Sequence, residues 1–307
     1  MDVAGRVQTI PGMTSKKKIA VIAPGSRLSA DVAGRVQTLA AKLYPGGTAE
    51  IHFHPQCLES HGHFAGDDAT RTQAFLEVAN DETYDAVWCA RGGYGSCRVA
   101  EAVIRGLTEA ARHKAYVGYS DAGTLLAGLY RAGFAAVAHG PMPADILREG
   151  GDAAVGRALA WLVDAAPETL EPTVGGEQKT AAFNITILSQ LLGTPLQPDL
   201  EGHVLMLEEV TEAMYRIDRS LFHITSNAHI RKVAGIKLGR CNQIPPNEPD
   251  FGMTEEEVAR YWCRRSGIPW LGRADIGHDA DNKVVPFGRI ATVAYAGAGK
   301  SAGALLG

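Results

Sequence analysis

The sequence predicts an α/β protein in which a doubly wound parallel sheet is followed by a smaller, mixed α/β unit. From residue 17 to about residue 140, five short apolar segments alternate with segments of helical character. Parallel strands need helical crossovers between them, so this alternation favours a parallel sheet covered on both faces. A chain of 307 residues, 46% of them hydrophobic, can also fill the cores of two domains.

The elements of the first domain follow in a regular order. The first strand ends in Pro-Gly, and Ser29 and Asp31 can cap the helix after it. Ligands bind at the carboxyl ends of strands in such sheets, and the turns RGGYG and GYSDAG, which end consecutive strands, can face one another there. The predicted strands are KKIAVIAPG, AEIHFHP, YDAVWCARGG, AYVGYS and AAVAHGP, and the helices between them are SADVAGRVQTLAAKLYP, DDATRTQAFLEVAND, SCRVAEAVIRG and DAGTLLAGLYRAG.

The composition changes after about residue 150 and divides the chain into four parts. Residues 1–16 are predicted to be an extension without function, because the octapeptide DVAGRVQT occurs twice and only the second copy, at 31–38, continues as a helix. Residues 17–150 form the first domain, 151–180 a helix and a linker with Pro and Gly, and 181–307 the second domain. The second domain's predicted elements are the helix NITILSQLLGT, the strand HVLMLEEV, the helix AMYRIDRSLFHITSNA, the strand AGIKLGR, a helix near TEEEVARYWCRRSG and strand segments within KVVPFGRIATVAYAG.

Composition and charge exclude several classes of function. The formal charge is −4 without a basic stripe, which argues against nucleic-acid binding. The five cysteines are odd in number and never form a Cys-x-x-Cys pair, so neither a disulfide framework nor a zinc site is expected. No apolar run approaches the roughly 20 residues of a membrane span, and no secretory signal precedes the first strand. We expect a soluble, cytoplasmic protein with no metal, cofactor, nucleic-acid or membrane partner.

Ser120 stands where a strand turns sharply into a helix. A serine hydroxyl needs a base, a group that orients the base, and donors for an oxyanion, and backbone N–H groups at a helix start can supply the donors. The segment GYSDA approximates the G-x-S-x-G nucleophile elbow, with Ala122 in place of the second glycine. An N-cap role for Ser120 is the competing interpretation.

The turn RGGYGS strengthens the catalytic interpretation. Gly92, Gly93 and Gly95 allow positive φ and leave backbone N–H groups accessible to a ligand. A dinucleotide or phosphate loop is less consistent with this turn, because the G-x-G-x-x-G spacing is absent and the turn follows the third strand. The closing AGAGKS segment, residues 296–301, lacks the upstream glycine and the following helix of a phosphate loop.

The base must be one of ten histidines, and two positions stand out. His278 lies in a loop between predicted strands, flanked by Gly277 and by acidic and amide residues, whereas His139 ends a strand of the first domain and is a rival. For the orienting carboxylate, Glu208 and Glu209 end an apolar strand, and only one of the two can face a given side. A buried carboxylate is costly unless it is paired, which makes one of them a functional candidate.

Five motifs, in this order and spacing, resemble the L,D-carboxypeptidase family of serine peptidases. They are ARGGYGSCR, VGYSDAGTLL, AHGPM, LMLEEVTEAMYRIDRSL and IGHDADNKVVPFG, and the resemblance covers the chain from about Lys17 to about Val293. It implies a flavodoxin-like first domain, a smaller swivelling second domain that carries Glu and His, and a site between them. No cofactor is implied, and the family likeness implies a homodimer.

The resemblance also implies residue roles. Ser120 matches the family nucleophile, His278 its base and Glu208 the orienting carboxylate, with backbone amides of Gly93 and Asp121 as oxyanion donors. Arg91, Gly92, Tyr94 and Asn184 are the predicted substrate-binding residues, and Arg98 is a second candidate for binding a free carboxylate. One departure is Phe183, which stands before Asn184 where the family usually has a glycine-rich turn, and which can alter side-chain preference.

The family's typical reaction is the removal of terminal D-alanine from a murein tetrapeptide in cytoplasmic cell-wall recycling. Hydrolysis of peptidyl or aminoacyl nucleotides, as in the microcin C immunity branch, is the first alternative. A muropeptide-binding protein without turnover is the second.

Overall fold

The computed structural model describes residues 16–290, which fold around two sheets. The first sheet has the strand order β2-β1-β3-β4-β5-β10, and its five N-terminal strands are parallel. Its strands are β1 (Lys17–Ile22), β2 (Ala49–Phe53), β3 (Ala86–Cys89), β4 (Ala115–Gly118), β5 (Val137–His139) and β10 (Val285–Pro286). The predicted flavodoxin-like α/β class is therefore confirmed.

Helices cover both faces of the first sheet. They are α1 (Ala30–Leu43), α2 (Asp68–Asn80), α3 (Ser96–Gly106), α4 (Gly123–Arg131) and α5 (Gly151–Asp164). Along β1, Ile19 and Val21 pack in the cluster that holds α1 and α5, whereas Ala20 and Ile22 pack in the cluster that holds α2, α3 and α4. The alternation of side chains along a strand thus explains why this strand is apolar at every buried position.

The second sheet is also parallel and has the order β6-β7-β8-β9. Its strands are β6 (Lys179–Asn184), β7 (His203–Val210), β8 (Gly235–Asn242) and β9 (Trp270–Arg273), and its helices are α6 (Ile185–Leu191), α7 (Met214–Ser226) and α8 (Glu255–Ser266). Strands β6 and β9 were not predicted. The apolar run that contains β6 passes directly into α6 without a turn signal, so the sequence pattern predicts the helix alone and does not separate the strand from it.

One segment of the expected second domain joins the first sheet. Val285 and Pro286 pair antiparallel with β5, and the N–H of Phe287 donates to the carbonyl of Val137 at 2.8 Å. Gly288 exchanges two backbone hydrogen bonds with Thr180 of β6, at 2.9 and 3.0 Å. The segment after His278 therefore ties the edges of both sheets together.

Three predicted features lie outside the described residues: nearly all of the N-terminal extension, the end of the last strand segment beyond residue 290 and the AGAGKS tail. Within residues 16–290, no helix combines the length and apolar character that would be needed to cross a membrane.

The buried carboxylate of Glu209 holds the junction between β6 and α6. It accepts hydrogen bonds from Asn184 Nδ2 (2.5 Å), from the N–H and Oγ1 of Thr186 (2.9 and 2.8 Å) and from the N–H of Val210 (2.9 Å). Burial raises the pKa of Glu209 despite these donors. Its hydrogen bonds make Glu209 a structural residue.

We expect Glu209→Ala to lower the free energy of unfolding by about 2–4 kcal/mol, because four donors lose a charged acceptor in a buried site. Urea unfolding followed by circular dichroism measures this change. Glu201→Ala is the control, since Glu201 is exposed and its ion-pair partner among residues 16–290 is Lys232, on the surface. Equal stability of the two variants would contradict the structural role of Glu209.

Candidate active site

Ser120 lies in a strained turn at the carboxyl end of β4. Its φ is +58°, in the left-handed region that serine rarely adopts. A short 3₁₀ turn over Ser120–Ala122 leads into α4, whose N-cap is Ala122, and no residue between 16 and 290 forms a hydrogen bond with the Ser120 hydroxyl. Ser120 therefore does not cap the helix, and its side chain is left free at the corner, as in a nucleophile elbow.

The glycine turn after β3 packs directly against this elbow. A Cβ on Gly92 would lie 2.7 Å from Ser120 Oγ, and Gly93 has a φ of +105°. The Asp121 carboxylate accepts hydrogen bonds from the N–H of Gly95 (3.3 Å) and from the N–H (2.9 Å) and Oγ (2.7 Å) of Ser96. The two turns thus meet, as the sequence indicated, and the Asp121 side chain caps α3 and locks them together.

His278 is held by Glu208 from the second sheet. Its Nδ1 donates to Glu208 Oε2 at 2.5 Å, and its backbone N–H donates to Asn242 Oδ1 at 2.9 Å. Glu208 is fully buried and His278 is 8% exposed. Nε2 of His278 is buried and has no hydrogen-bond partner in the described part of the chain, residues 16–290. The neighbouring Glu209 faces the β6–α6 junction, so strand alternation gives the two carboxylates different surroundings.

Glu208 also sets the charge state of the imidazole. Burial lowers the pKa of His278, but the charge of Glu208 and its hydrogen bond to Nδ1, together with the charge of Asp145, outweigh burial. The pKa of His278 is therefore raised above the ordinary histidine value of 6.5. An imidazole with its Nδ1–H bound to a carboxylate presents Nε2 as its basic atom.

His139, the rival base, has a different role. It is buried, and its Nε2 donates to Asn282 Oδ1 at 3.0 Å, an atom that also accepts from the N–H of Gly277 at 3.2 Å. Burial lowers the pKa of His139, which favours the neutral ring. His139 therefore supports the loop that carries His278.

Ser120 and His278 line one cavity of about 490 Å³ between the two sheets. Its first-domain wall includes Arg91 and Arg148, and its second-domain wall includes Thr211 and Gln243. Within residues 16–290, four non-glycine residues have positive φ, and Ser120, Thr211 and Gln243 are three of them. Backbone strain is thus concentrated around this cavity, as is common at functional sites.

The predicted substrate-binding residues are placed unevenly. Arg91 and Gly92 line the cavity, whereas Tyr94, 50% exposed, packs near Phe64 outside it. Asn184 does not reach the cavity either, because it is buried, caps α6 and donates to Glu209. Arg98 is bound to Asp68 through its Nε and Nη2, and its guanidinium lies over Phe64. Phe183 is buried against Phe287 and is also outside the cavity.

Sequence reasoning missed Arg148, Thr211 and Gln243. Arg148 follows the short 3₁₀ helix Pro143–Leu147, and no motif indicates that it approaches His278 from the other sheet. Residue type does not predict the left-handed backbone of Thr211 and Gln243, because Gly, Asn and Asp are the residues that favour this conformation. Among residues 16–290, no group of three or more His, Cys, Asp or Glu side chains is arranged to hold a metal ion.

Comparisons with known proteins agree with this architecture. Residues 19–140 match the LD-carboxypeptidase N-terminal domain family and residues 179–293 the LD-carboxypeptidase C-terminal domain family. A putative carboxypeptidase of Synechocystis sp. is 31% identical over 86% of this chain and 90% of its own length. The murein tetrapeptide carboxypeptidase of Pseudomonas aeruginosa is 27% identical over 90% of this chain and 92% of its own length.

Solved structures show the same fold. The muramoyltetrapeptide carboxypeptidase of Oxalobacter formigenes superposes with a TM-score of 0.72 at 26% identity, over 88% of this chain and 93% of that one. The microcin C7 self-immunity protein MccF, in complex with aspartyl sulfamoyl adenosine, superposes with a TM-score of 0.72 at 16% identity, over 90% of this chain and 92% of that one. The domain matches and the Synechocystis relative show that the chain belongs to the LD-carboxypeptidase family and is a serine-type carboxypeptidase.

Proposed function

We propose that this enzyme releases terminal D-alanine from the murein tetrapeptide L-Ala-γ-D-Glu-meso-diaminopimelate-D-Ala, with Ser120, His278 and Glu208 as its catalytic triad. The hydrogen bond from His278 to Glu208, together with the unpartnered Nε2 beside the cavity that Ser120 lines, is the observation that carries the proposal. The Pseudomonas and Oxalobacter relatives, both named as tetrapeptide carboxypeptidases, support the substrate class.

In the proposed reaction, Nε2 of His278 takes the proton of Ser120 as Oγ attacks the carbonyl of the L,D-peptide bond. Glu208 keeps the Nδ1–H tautomer and stabilises the imidazolium that forms. The backbone N–H groups of Gly93 and Asp121 are the proposed donors to the oxyanion. The imidazolium then protonates the departing amine of D-alanine, and a water activated by the same imidazole hydrolyses the acyl-enzyme.

Arg91 is the proposed anchor for the terminal carboxylate of the peptide. It lines the cavity next to Gly92, which contacts Ser120, and its one hydrogen bond to residues 16–290 runs from Nη1 to the carbonyl of Arg27 at 3.3 Å. Its guanidinium therefore keeps most of its donors for a ligand, and a carboxylate suits their fork geometry.

A nucleotide-linked substrate is less well supported by the cavity. An exposed aromatic face favours stacking of a base, and among residues 16–290 the aromatic rings that line the cavity are those of Tyr119 and His278, packed against each other at 4.7 Å. The likeness to the MccF structures, at 16% identity, concerns the fold.

We extend the proposal to the enzyme's setting: it acts in the cytoplasm on recycled wall peptides, and as a homodimer. The five cysteines are all unpaired, which suits a reducing compartment. The exposed side chains of Tyr215, Phe222 and Tyr261 on α7 and α8 offer an apolar surface for a second copy.

The purified protein should release D-alanine from the tetrapeptide, and Ser120→Ala should abolish this release. Ser189→Ala is the matched control, because Ser189 also contacts a histidine, His223 at 3.2 Å, but on the surface. Chromatography of the free D-alanine measures turnover. Absence of release by the wild type would refute this substrate, and hydrolysis of an aminoacyl sulfamoyl adenosine instead would establish the nucleotide alternative.

Glu208→Gln should lower kcat/KM by about 10³–10⁴-fold, because the imidazole loses the group that fixes its tautomer. The acid limb of the remaining activity should move to lower pH, because the partner that raises the pKa of His278 is removed while burial stays. Glu209→Gln should lose stability and keep turnover within severalfold. The reverse ranking of the two variants would mean that Glu209 is the catalytic carboxylate.

Gly92→Ala should lower kcat/KM at least tenfold while the fold is retained. The added Cβ would lie 2.7 Å from Ser120 Oγ and must displace it, whereas the φ of Gly92 is outside the left-handed region. Gly34→Ala is the control, since the added Cβ in α1 would meet no described atom within 4 Å apart from its chain neighbours and the helix's own backbone. Wild-type kinetics of Gly92→Ala would show that the glycine turn does not constrain the nucleophile.

A further inference from the structure

A chain of polar contacts runs behind the active site from the nucleophile elbow to the backbone of His278. The hydroxyl of Tyr119, the residue before Ser120, donates to Asp145 Oδ1 at 2.8 Å. Arg148 Nε donates to the same oxygen at 2.8 Å, and Arg148 Nη1 donates to the carbonyl of His278 at 2.7 Å. The Tyr119 ring lies 4.7 Å from the imidazole, so the chain closes into a ring around His278.

We propose that Arg148 is a positioning residue that sets the approach of His278 to Ser120, acting with Asp145 and Tyr119 as one strut between the two domains. This inference rests on the proposed triad and goes beyond it, because none of the three residues takes part in the proton transfer. Glu208 fixes the imidazole through Nδ1 from the second sheet, and Arg148 fixes the same residue's main chain from the first-domain side.

The side chains of Tyr119, Asp145 and Arg148 are held in fixed positions by their hydrogen bonds. Asp145 is buried and is fully engaged, because its Oδ2 accepts from the N–H of Met142 at 2.8 Å while its Oδ1 accepts from Tyr119 and Arg148. Its negative charge balances that of Arg148, so the guanidinium carries little net attraction for a second carboxylate. A planar guanidinium can reach a carboxylate and a carbonyl together, which an ammonium on a flexible stem does poorly.

The strut also explains why Arg148 lines the cavity without serving as the proposed carboxylate anchor. Arg91 has no acidic partner among residues 16–290, whereas Arg148 is paired with Asp145. We therefore assign substrate attraction to Arg91 and active-site geometry to Arg148. The two assignments predict different kinetic signatures.

The test compares Arg148→Met, Arg148→Lys and Arg35→Met in tetrapeptide hydrolysis. Arg35 is the matched control, because its Nη2 donates to the carbonyl of Ile146 at 2.7 Å and so braces the same 3₁₀ helix, whereas its ion-pair partner within residues 16–290 is Asp152 and not the His278 loop. Arg148→Met should lower kcat about 10–100-fold with KM nearly unchanged, since small displacements of reacting groups cost rates of this order. Arg148→Lys should be intermediate, and Arg35→Met should match the wild type.

Tyr119→Phe provides a second route to the same strut. It removes the hydroxyl that binds Asp145 and keeps the ring beside His278. Its effect on kcat should be smaller than that of Arg148→Met, and the double variant should be no worse than Arg148→Met alone, because both changes break one network. Full additivity would contradict the strut.

A readout without substrate separates this inference from the proposed function. The Nδ1 proton of His278, bound to Glu208, should give a downfield NMR resonance in the wild type and in Arg35→Met, and it should broaden or vanish in Arg148→Met. An unchanged resonance, a rise in KM at constant kcat, or an equal loss in Arg35→Met would each overturn the role of Arg148. If the wild type does not cleave the tetrapeptide, the proposed substrate fails, and the resonance still decides whether Arg148 positions His278.

Discussion

The hydrogen bond between Glu208 and His278 joins the second sheet to the loop that leads from that sheet into the first. Glu208 lies near the carboxyl end of β7, an inner strand of the second sheet, and the loop after His278 continues into β10 at the edge of the first sheet. Burying a carboxylate is costly, and a close, charge-assisted hydrogen bond offsets that cost only when the geometry is good. The same contact therefore links the second sheet to this loop and orients the imidazole.

The loop that carries His278 is braced from both sides. From the first-domain side, Arg157 on α5 donates to the carbonyls of Ala280 and Asn282 at 2.9 and 2.8 Å, in addition to the bond from Arg148. From the second sheet, Arg240 pairs with Asp275 and Asp279. A rotation of the second sheet against the first would have to break one of these sets of contacts. The loop is thus the element where any domain movement would act on the position of the imidazole.

The sequence predicts the elements with strong local signals and misses those that depend on distant partners. The alternation of strand and helix, the glycine turn and the elbow serine are local patterns, and the structure contains them all. Strand β9 (Trp270–Arg273) lies at a sheet edge and alternates between half-buried and exposed residues. Its sequence therefore shows no clear alternation of apolar and polar residues that would predict a strand. The switch of β10 to the first sheet depends on pairing with β5, which a single-sequence pattern does not encode.

Side-chain roles divide in the same way. Strand alternation predicts that Glu208 and Glu209 face different environments, but it does not show which of them has the catalytic role proposed above. Their partners separate the two, because Glu208 binds an imidazole and Glu209 binds the start of α6. For Asn184 the motif position predicts a contact with the substrate, whereas in the structure its side chain caps α6. Arg98 similarly lies beside the glycine turn in sequence, yet Asp68 binds it on the outside of α3.

The strained backbone around the cavity requires support from groups that do no chemistry. The left-handed conformation of Ser120 costs free energy of order 1 kcal/mol or more, and it persists only when its surroundings hold it. Asp121, next in the chain, provides that support by tying the elbow to α3 through three hydrogen bonds, while Tyr119, on the other side, is held by Asp145. The backbone of Ser120, the proposed nucleophile, is thus fixed by its two chain neighbours. If Ser120 capped its own helix, its hydroxyl would be used in a structural hydrogen bond and would not be available for the proposed reaction.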